Sequence, residues 1–251
     1  MITLIQAIIL GIIQGITEWL PISSSGHLVI FQSLFSISQP VIFDIFLHLG
    51  SLVVILIMFR KDILALIKGA LKKEKEHLNF LLYLIIASIP IAIVGFFLNS
   101  YIKSIFNNLT AVGLSLIFTS IMLFLSKKAK QNSNLTLKNT YIIGMFQAIA
   151  ILPGVSRSGM TLSSGLMQNI KQQQLIRFSF LLFIPAIAGA ALFEMRNISQ
   201  ITNISAMLIG TIFSIIAGII SLKLLIRIIK SKKFYYFGYY CLLLGIILLI
   251  I

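Results

Sequence analysis

An all-α polytopic membrane protein, made of two inverted-topology repeats that each hold a re-entrant helical hairpin plus three transmembrane helices, is the fold class that three observations predict. Of the 251 residues, 59% are hydrophobic and only 10% charged, where a soluble domain carries about a quarter charged. Two short apolar segments broken at a proline, Gly11 to His27 and Gly144 to Gly159, match each other along the chain. The basic residues, finally, sort onto one side once those two segments are treated as hairpins. A net charge of +14 would suggest nucleic acid in a soluble chain. Here the positives sit in short connections between apolar spans, so topology accounts for them and no nucleic-acid partner is expected. The lone cysteine, Cys241, excludes an intramolecular disulfide and a cysteine metal cluster; in its apolar run it is expected to be a small apolar residue facing core or lipid.

The chain opens without the positively charged n-region of a signal peptide, since no Lys or Arg precedes Arg60. Helical apolar pattern runs from about Thr3 to Leu20 and stops at Pro21, which lacks an N–H and clashes with the preceding turn. It resumes from His27 to about Ser36, roughly 15 Å of helix, half of the ~30 Å hydrocarbon core. Three stretches then reach the about 20 residues a full span needs: roughly 41–60, 79–99 and 108–127. An Asn/Ser-rich connection, 128–137, separates the repeats. The second repeat runs from about Tyr141 to Leu152, breaks at Pro153-Gly154, and resumes from Met160 to about Ile170. Its three spans fall at 176–196, 205–229 and 235–251. The repeats are thus 1–127 and 138–251 within one membrane domain.

A hairpin returns to its own side, and three spans separate the two hairpins, so they must insert from opposite faces. On that assignment 17 of the 20 Lys and Arg fall on one side; Lys103 and Arg196 fall on the other, and Arg157 lies in the second hairpin. This is a strong positive-inside bias. It puts the termini and the first hairpin outside and the second hairpin on the cytoplasmic side. Inverted repeats of this kind place a site near the midplane, where broken helices meet. Gly11-x-x-x-Gly15 and Gly144-x-x-x-Ala148 supply small residues for close helix packing at matched places.

The hairpins correspond at an offset of 133: Gly11/Gly144, Gln14/Gln147, Ile16/Ile149, Ser23/Ser156, Ser25/Ser158 and Gly26/Gly159, with a slip of one residue at Leu20-Pro21 and Leu152-Pro153. Of six acidic residues only Glu18 is deep; Asp44 and Glu194, the latter beside Arg196, are expected at span ends. An ionisable group inside a membrane costs a few kcal/mol, so a functional role is its default reading. Gln14 and Glu18, four apart, share a helix face and offer two hard oxygen ligands suited to Mg²⁺ or Ca²⁺. A structural Glu18–Arg157 pair is the bland alternative. The Ser23-Ser24-Ser25-Gly26-His27 tip offers hydroxyls, a permissive glycine and an imidazole at a helix N-terminus, where N–H groups bind phosphate. The opposing tip, with Ser156, Ser158 and Gly159, adds Arg157, whose planar fork pairs bidentately with phosphate, and Thr161 in the following turn. Two helix N-termini, an arginine and a cation suit a diphosphate. His27 is close enough along the chain to serve Ser24 or Ser25 as a base, or to protonate a leaving oxygen. Attack by Ser24, by His27 or by water all stay open. His48, at i+4 from Asp44, and Trp19 are expected to be packing residues.

With these residues in view the chain resembles the undecaprenyl-diphosphate phosphatase family of the bacitracin-resistance type. The signatures are Gln14 to Glu18, L-P-x-S-S-S-G-H, F-D-x-x-L-H-L-G at Phe43 to Gly50, and P-G-x-S-R-S-G-x-T at Pro153 to Thr161. The resemblance implies hydrolysis of undecaprenyl diphosphate to undecaprenyl phosphate and inorganic phosphate, recycling the lipid carrier of cell-wall synthesis. It implies divalent-metal dependence, a multi-pass protein of the bacterial plasma membrane with an outward-facing site, and roles for Glu18, Ser24, His27 and Arg157, with Gln14 as the first member of the metal element. Partners are then a polyprenyl diphosphate and membrane lipids, and a homodimer is compatible with the reading. The alternative is a transporter or flippase for a polyprenyl-phosphate lipid, because broken helices in inverted repeats also build transporters.

Overall fold

A computed structural model describes residues 2–37, 41–105, 108–194 and 203–250, and these residues are helical with short connections. The first hairpin is α1, Leu4–Trp19, and α2, Ser24–Leu34. Thr3 closes a capping box with Gln6 at the start of α1. Then come α3, Val41–Met58; α4, Arg60–Leu71; α5, Lys75–Ile105; and α6, Leu109–Leu125. The second hairpin is α7, Leu137–Ile149, and α8, Arg157–Met167, followed by α9, Gln172–Leu181; α10, Phe183–Glu194; α11, Ile204–Lys230; and α12, Phe237–Ile250.

Several elements depart from expectation, each for a local reason. Helices α2 and α8 begin three residues early, at Ser24 and Arg157 rather than His27 and Met160, because Ser23 and Ser156 cap them. Each serine oxygen accepts the N–H of the residue three further on, Gly26 at 3.2 Å and Gly159 at 3.1 Å. The span expected at 41–60 ends in a 72° bend into α4, a basic helix where a loop was expected. Expected at 176–196, the next span is interrupted at Leu182, since Pro185 has no N–H to give the Leu181 carbonyl. The inter-repeat connection is not loose: Ser133 bonds both ways with the turn before α9, donating to the Asn169 carbonyl and accepting from the Lys171 N–H, each at 2.8 Å. Arg196 lies outside the described residues, as do the side chains of Lys103 and Glu194, and so does the Glu194–Arg196 pairing.

Small residues decide how the helices meet. A Cβ on Gly11 would collide with the Gly210 carbonyl, and one on Gly15 would strike Ser214 and Gly218, so α1 and α11 run together in the same direction. The matching collision in the other half is Gly144 on Ala87, with Ile151 further along against Gly95, so α7 runs along α5 likewise. Helices α6 and α12 run oppositely, with Gly113 facing Gly245 and Phe124 facing Gly238. Each hairpin therefore packs on a long helix from the other half of the chain. These directions are the ones that insertion from opposite faces requires.

Candidate functional site

The two hairpin tips touch. A Cβ on Gly26 would lie 3.1 Å from Cα of Gly154, and the Ser158 hydroxyl donates to the Leu20 carbonyl at 3.3 Å. Cys241, buried as expected, reaches the Pro21 carbonyl from α12 at 3.4 Å. Two backbone turns hold the tips: Ser23 sits at φ 69° in the left-handed region, and Gly154 at φ 91° does the same for the second tip.

Glu18, at the end of α1, is the hub. Its Oε1 accepts from Nη2 of Arg157 at 2.9 Å. Its Oε2 accepts from the Ser24 hydroxyl at 2.6 Å and from Nε2 of Gln14 at 3.0 Å. Nε2 of His48 stands 3.3 Å from the same Oε2. Glu18, at 6% exposure, and Gln14, at 0%, are buried, and Arg157 and His48 are partly so, so the carboxylate is held by directed donors. The guanidinium lies 4.1 Å above the Phe183 ring, which itself packs on Trp19, the packing residue it was expected to be. Only half of the arginine fork is used: Nη1 is buried without a hydrogen-bond partner. A free charged donor beside a hydroxyl already bonded to a carboxylate is what an incoming phosphoryl group requires.

Glu18, Ser24, Ser25, Asp44, His48, Ser156 and Arg157 line one cavity of about 480 Å³ whose other walls are mostly apolar. The structure thus brings together Gln14, Glu18, Ser24, Ser25, Ser156 and Arg157 from the sequence-predicted set. Five others build the tips without lining the cavity. Ser23 is a cap, Gly26 and Gly159 complete the caps, Ser158 ties tip to tip, and Thr161 bonds Ser179 and the Arg157 carbonyl. His27 faces elsewhere. Because α2 starts at Ser24, the imidazole lies within the first turn, and its Nδ1 donates back to the Ser23 carbonyl at 2.7 Å. Nε2 is thereby turned to the Tyr240 hydroxyl on α12, at 2.7 Å, beside a second, apolar cavity. Ser24 is served by Glu18 and not by His27.

Residues read as bland from sequence belong to the hub. His48 was expected to pack; its Nδ1 donates to the Asp44 carbonyl at 2.8 Å, which aims Nε2 at Glu18. Asp44, expected at an interface, is 7% exposed and accepts from Gln32 at 2.8 Å. Their signal was present: two ionisable residues one turn apart inside an apolar span carry the same functional default as Glu18. Tyr240 gave none, as 213 residues separate it from His27.

The family model described as "Bacitracin resistance protein BacA" matches residues 7–247. A protein of Thermosipho africanus named undecaprenyl-diphosphatase is 41% identical, the match covering 96% of this chain and 97% of that one. One of Halothermothrix orenii with the same name is 40% identical over 98% and 97% of the two chains. A third, from Korarchaeum cryptofilum, is 38% identical over 97% of each.

Proposed function

The chain belongs to the bacitracin resistance protein BacA family, and from that premise we propose that it hydrolyses undecaprenyl diphosphate to undecaprenyl phosphate and inorganic phosphate. The reaction returns the lipid carrier of cell-wall synthesis and confers bacitracin resistance. The observation that carries the reading is Glu18 bonded at once to the Ser24 hydroxyl and the Arg157 guanidinium. Arg157 binds the diphosphate through its free Nη1, with the N–H groups at the starts of α2 and α8 alongside. The Ser24 Oγ attacks the terminal phosphorus while its proton passes to Oε2 of Glu18. The bond to the bridging oxygen breaks, and undecaprenyl phosphate leaves with that electron pair. Water then cleaves the serine phosphate ester: its oxygen bonds to phosphorus as the P–Oγ bond breaks, Oγ of Ser24 takes back the proton from Glu18, and the water's hydrogens leave with the phosphate. His27, which the family resemblance places in the reaction, acts here by fixing the Ser23 carbonyl, and so the strained turn from which Ser24 projects.

Mg²⁺ or Ca²⁺ fits the same corner. Oε1 of Gln14 is a buried oxygen with no hydrogen-bond partner, one turn from the Glu18 carboxylate. Among the described residues no cluster of three His, Cys, Asp or Glu could hold an ion, so substrate oxygens and water would complete the shell of a cation held by Gln14 and Glu18. When bound, such an ion supplies positive charge to the phosphoryl oxygens. The protein is placed in the plasma membrane with its basic connections in the cytoplasm and its site open to the outer side, its halves 1–127 and 138–251 inserted from opposite faces. Purified protein in detergent should release phosphate from undecaprenyl diphosphate and slow on chelation. Absence of release rejects the enzyme reading, and release indifferent to chelator rejects the metal.

A further inference from the structure

The cavity above Glu18 and Arg157 has a feature that phosphate chemistry does not need. Its walls on α5 and α10 mix large apolar residues such as Ile91 and Phe193 with very small ones, Ala92 and Gly95 on α5 and Ala186, Gly189 and Ala190 on α10. Small residues facing one another usually mark helices in backbone contact, as Gly11 and Gly210 do here. Gly189 does not. A Cβ there would meet nothing within 4 Å, whereas one on Gly95 would press on the tip of Ile151 at 3.3 Å, as a packing glycine does. Gly189 leaves a gap where helix-packing glycines close one. Along α5 the gap runs from Ser88 beside the polar floor to the exposed Phe96, eight residues or about 12 Å. Arg157 lines the cavity beside that floor, and its Nη1 has no hydrogen-bond partner.

We infer that the cleft between α5 and α10 is the slot for the first isoprene units of the substrate, and that Gly189 sets the width that admits a methyl-branched chain. This rests on the prenyl diphosphatase reading above. The diphosphate lies on the polar floor, the chain follows the small-residue walls, and it leaves past Phe96 into lipid. A side chain at position 189 would fill space that only the chain uses, so it obstructs the tail without touching Glu18, Ser24 or Arg157.

The test compares two probes on detergent-purified protein: turnover of undecaprenyl diphosphate, and its competitive inhibition by inorganic diphosphate, which occupies the floor alone. Gly189→Leu should lower kcat/KM for the lipid about 10-fold or more and leave the inhibition constant of inorganic diphosphate within about twofold. Should Gly189→Leu fail to fold, Gly189→Cys treated with a bulky maleimide after purification gives the same readout, because the one native thiol, Cys241, is buried. Unchanged lipid turnover, or equal loss on both probes, overturns the slot. Wild-type protein that does not turn over the lipid overturns the enzyme reading instead, and is seen before any variant is made.

Discussion

The two hairpin tips share one plan and differ in what they hold. Both end a helix at a proline, both restart it with a serine that caps onto a glycine three residues later, and both place a second serine 3.3 Å from the cap. Gly154 restores the register after the slip at the prolines: the first tip makes its left-handed turn at Ser23 itself, the second has an extra residue to make it with. Chemistry is then divided. At the 133-residue offset Ser24 corresponds to Arg157, and Glu18 falls on Ile151. Gln14 donates to Glu18 and Ser51, whereas both amide atoms of Gln147 are buried with no partner. The serine caps are present at both tips, and a hydrogen-bonded glutamine–glutamate pair at the first alone. The hydroxyl and carboxylate come from one tip, the guanidinium that faces them from the other.

Removing either half of that division should have the largest effect. Ser24→Ala and Arg157→Ala are each expected to cut phosphate release about a thousandfold, the scale of losing a nucleophile or an oxyanion donor. Arg157→Lys should recover little of it, since an ammonium does not reproduce the planar fork. Near wild-type release by either alanine variant would remove that residue from the reaction. Next comes His48→Ala, expected to lower kcat by about 10-fold with little change in KM, because it loosens Glu18 without touching the phosphate-binding groups. A change in KM alone would place His48 in binding.

The glutamine pair sharpens the contrast directly. Gln14→Leu should lower both activity and melting temperature, while Gln147→Leu should leave activity intact and stabilise the protein by about 1–3 kcal/mol, the cost of an unsatisfied buried amide. Equal responses would mean the halves are less different than their hydrogen bonds. The smallest effect belongs to Tyr240→Phe, which removes one hydrogen bond of about 1 kcal/mol behind the first tip. His27→Gln can keep a bond to the Ser23 carbonyl and should retain more turnover than His27→Ala. If both lose the same large factor, His27 takes part in proton transfer.

Much of this was legible in the sequence because its causes are local. Proline at two matched places breaks two helices, and Glu18 and Arg157 are too costly in lipid to lack a purpose. What escaped depended on the third dimension. Serine caps moved both helix starts by three residues, and at the first tip that shift rotated His27 toward Tyr240. The aim of His48 is set by one backbone carbonyl, Asp44, and nothing in its apolar neighbours tells whether a ring one turn further on meets lipid or a carboxylate. Helix α4 escaped because its basic residues read as a cytoplasmic loop, although Asp62 pairs with Arg177 of α9 at 3.0 Å and fixes it against the bundle.

Melting temperatures in detergent of Glu18→Leu, Arg157→Leu and the double variant bear most directly on whether the two tips form one site. Each single change strands a buried charge and is expected to cost about 3–5 kcal/mol. The double variant, with no charge left unpaired, should melt at or above either single one. A double variant whose loss equals the sum of the two singles would show that Glu18 and Arg157 do not meet.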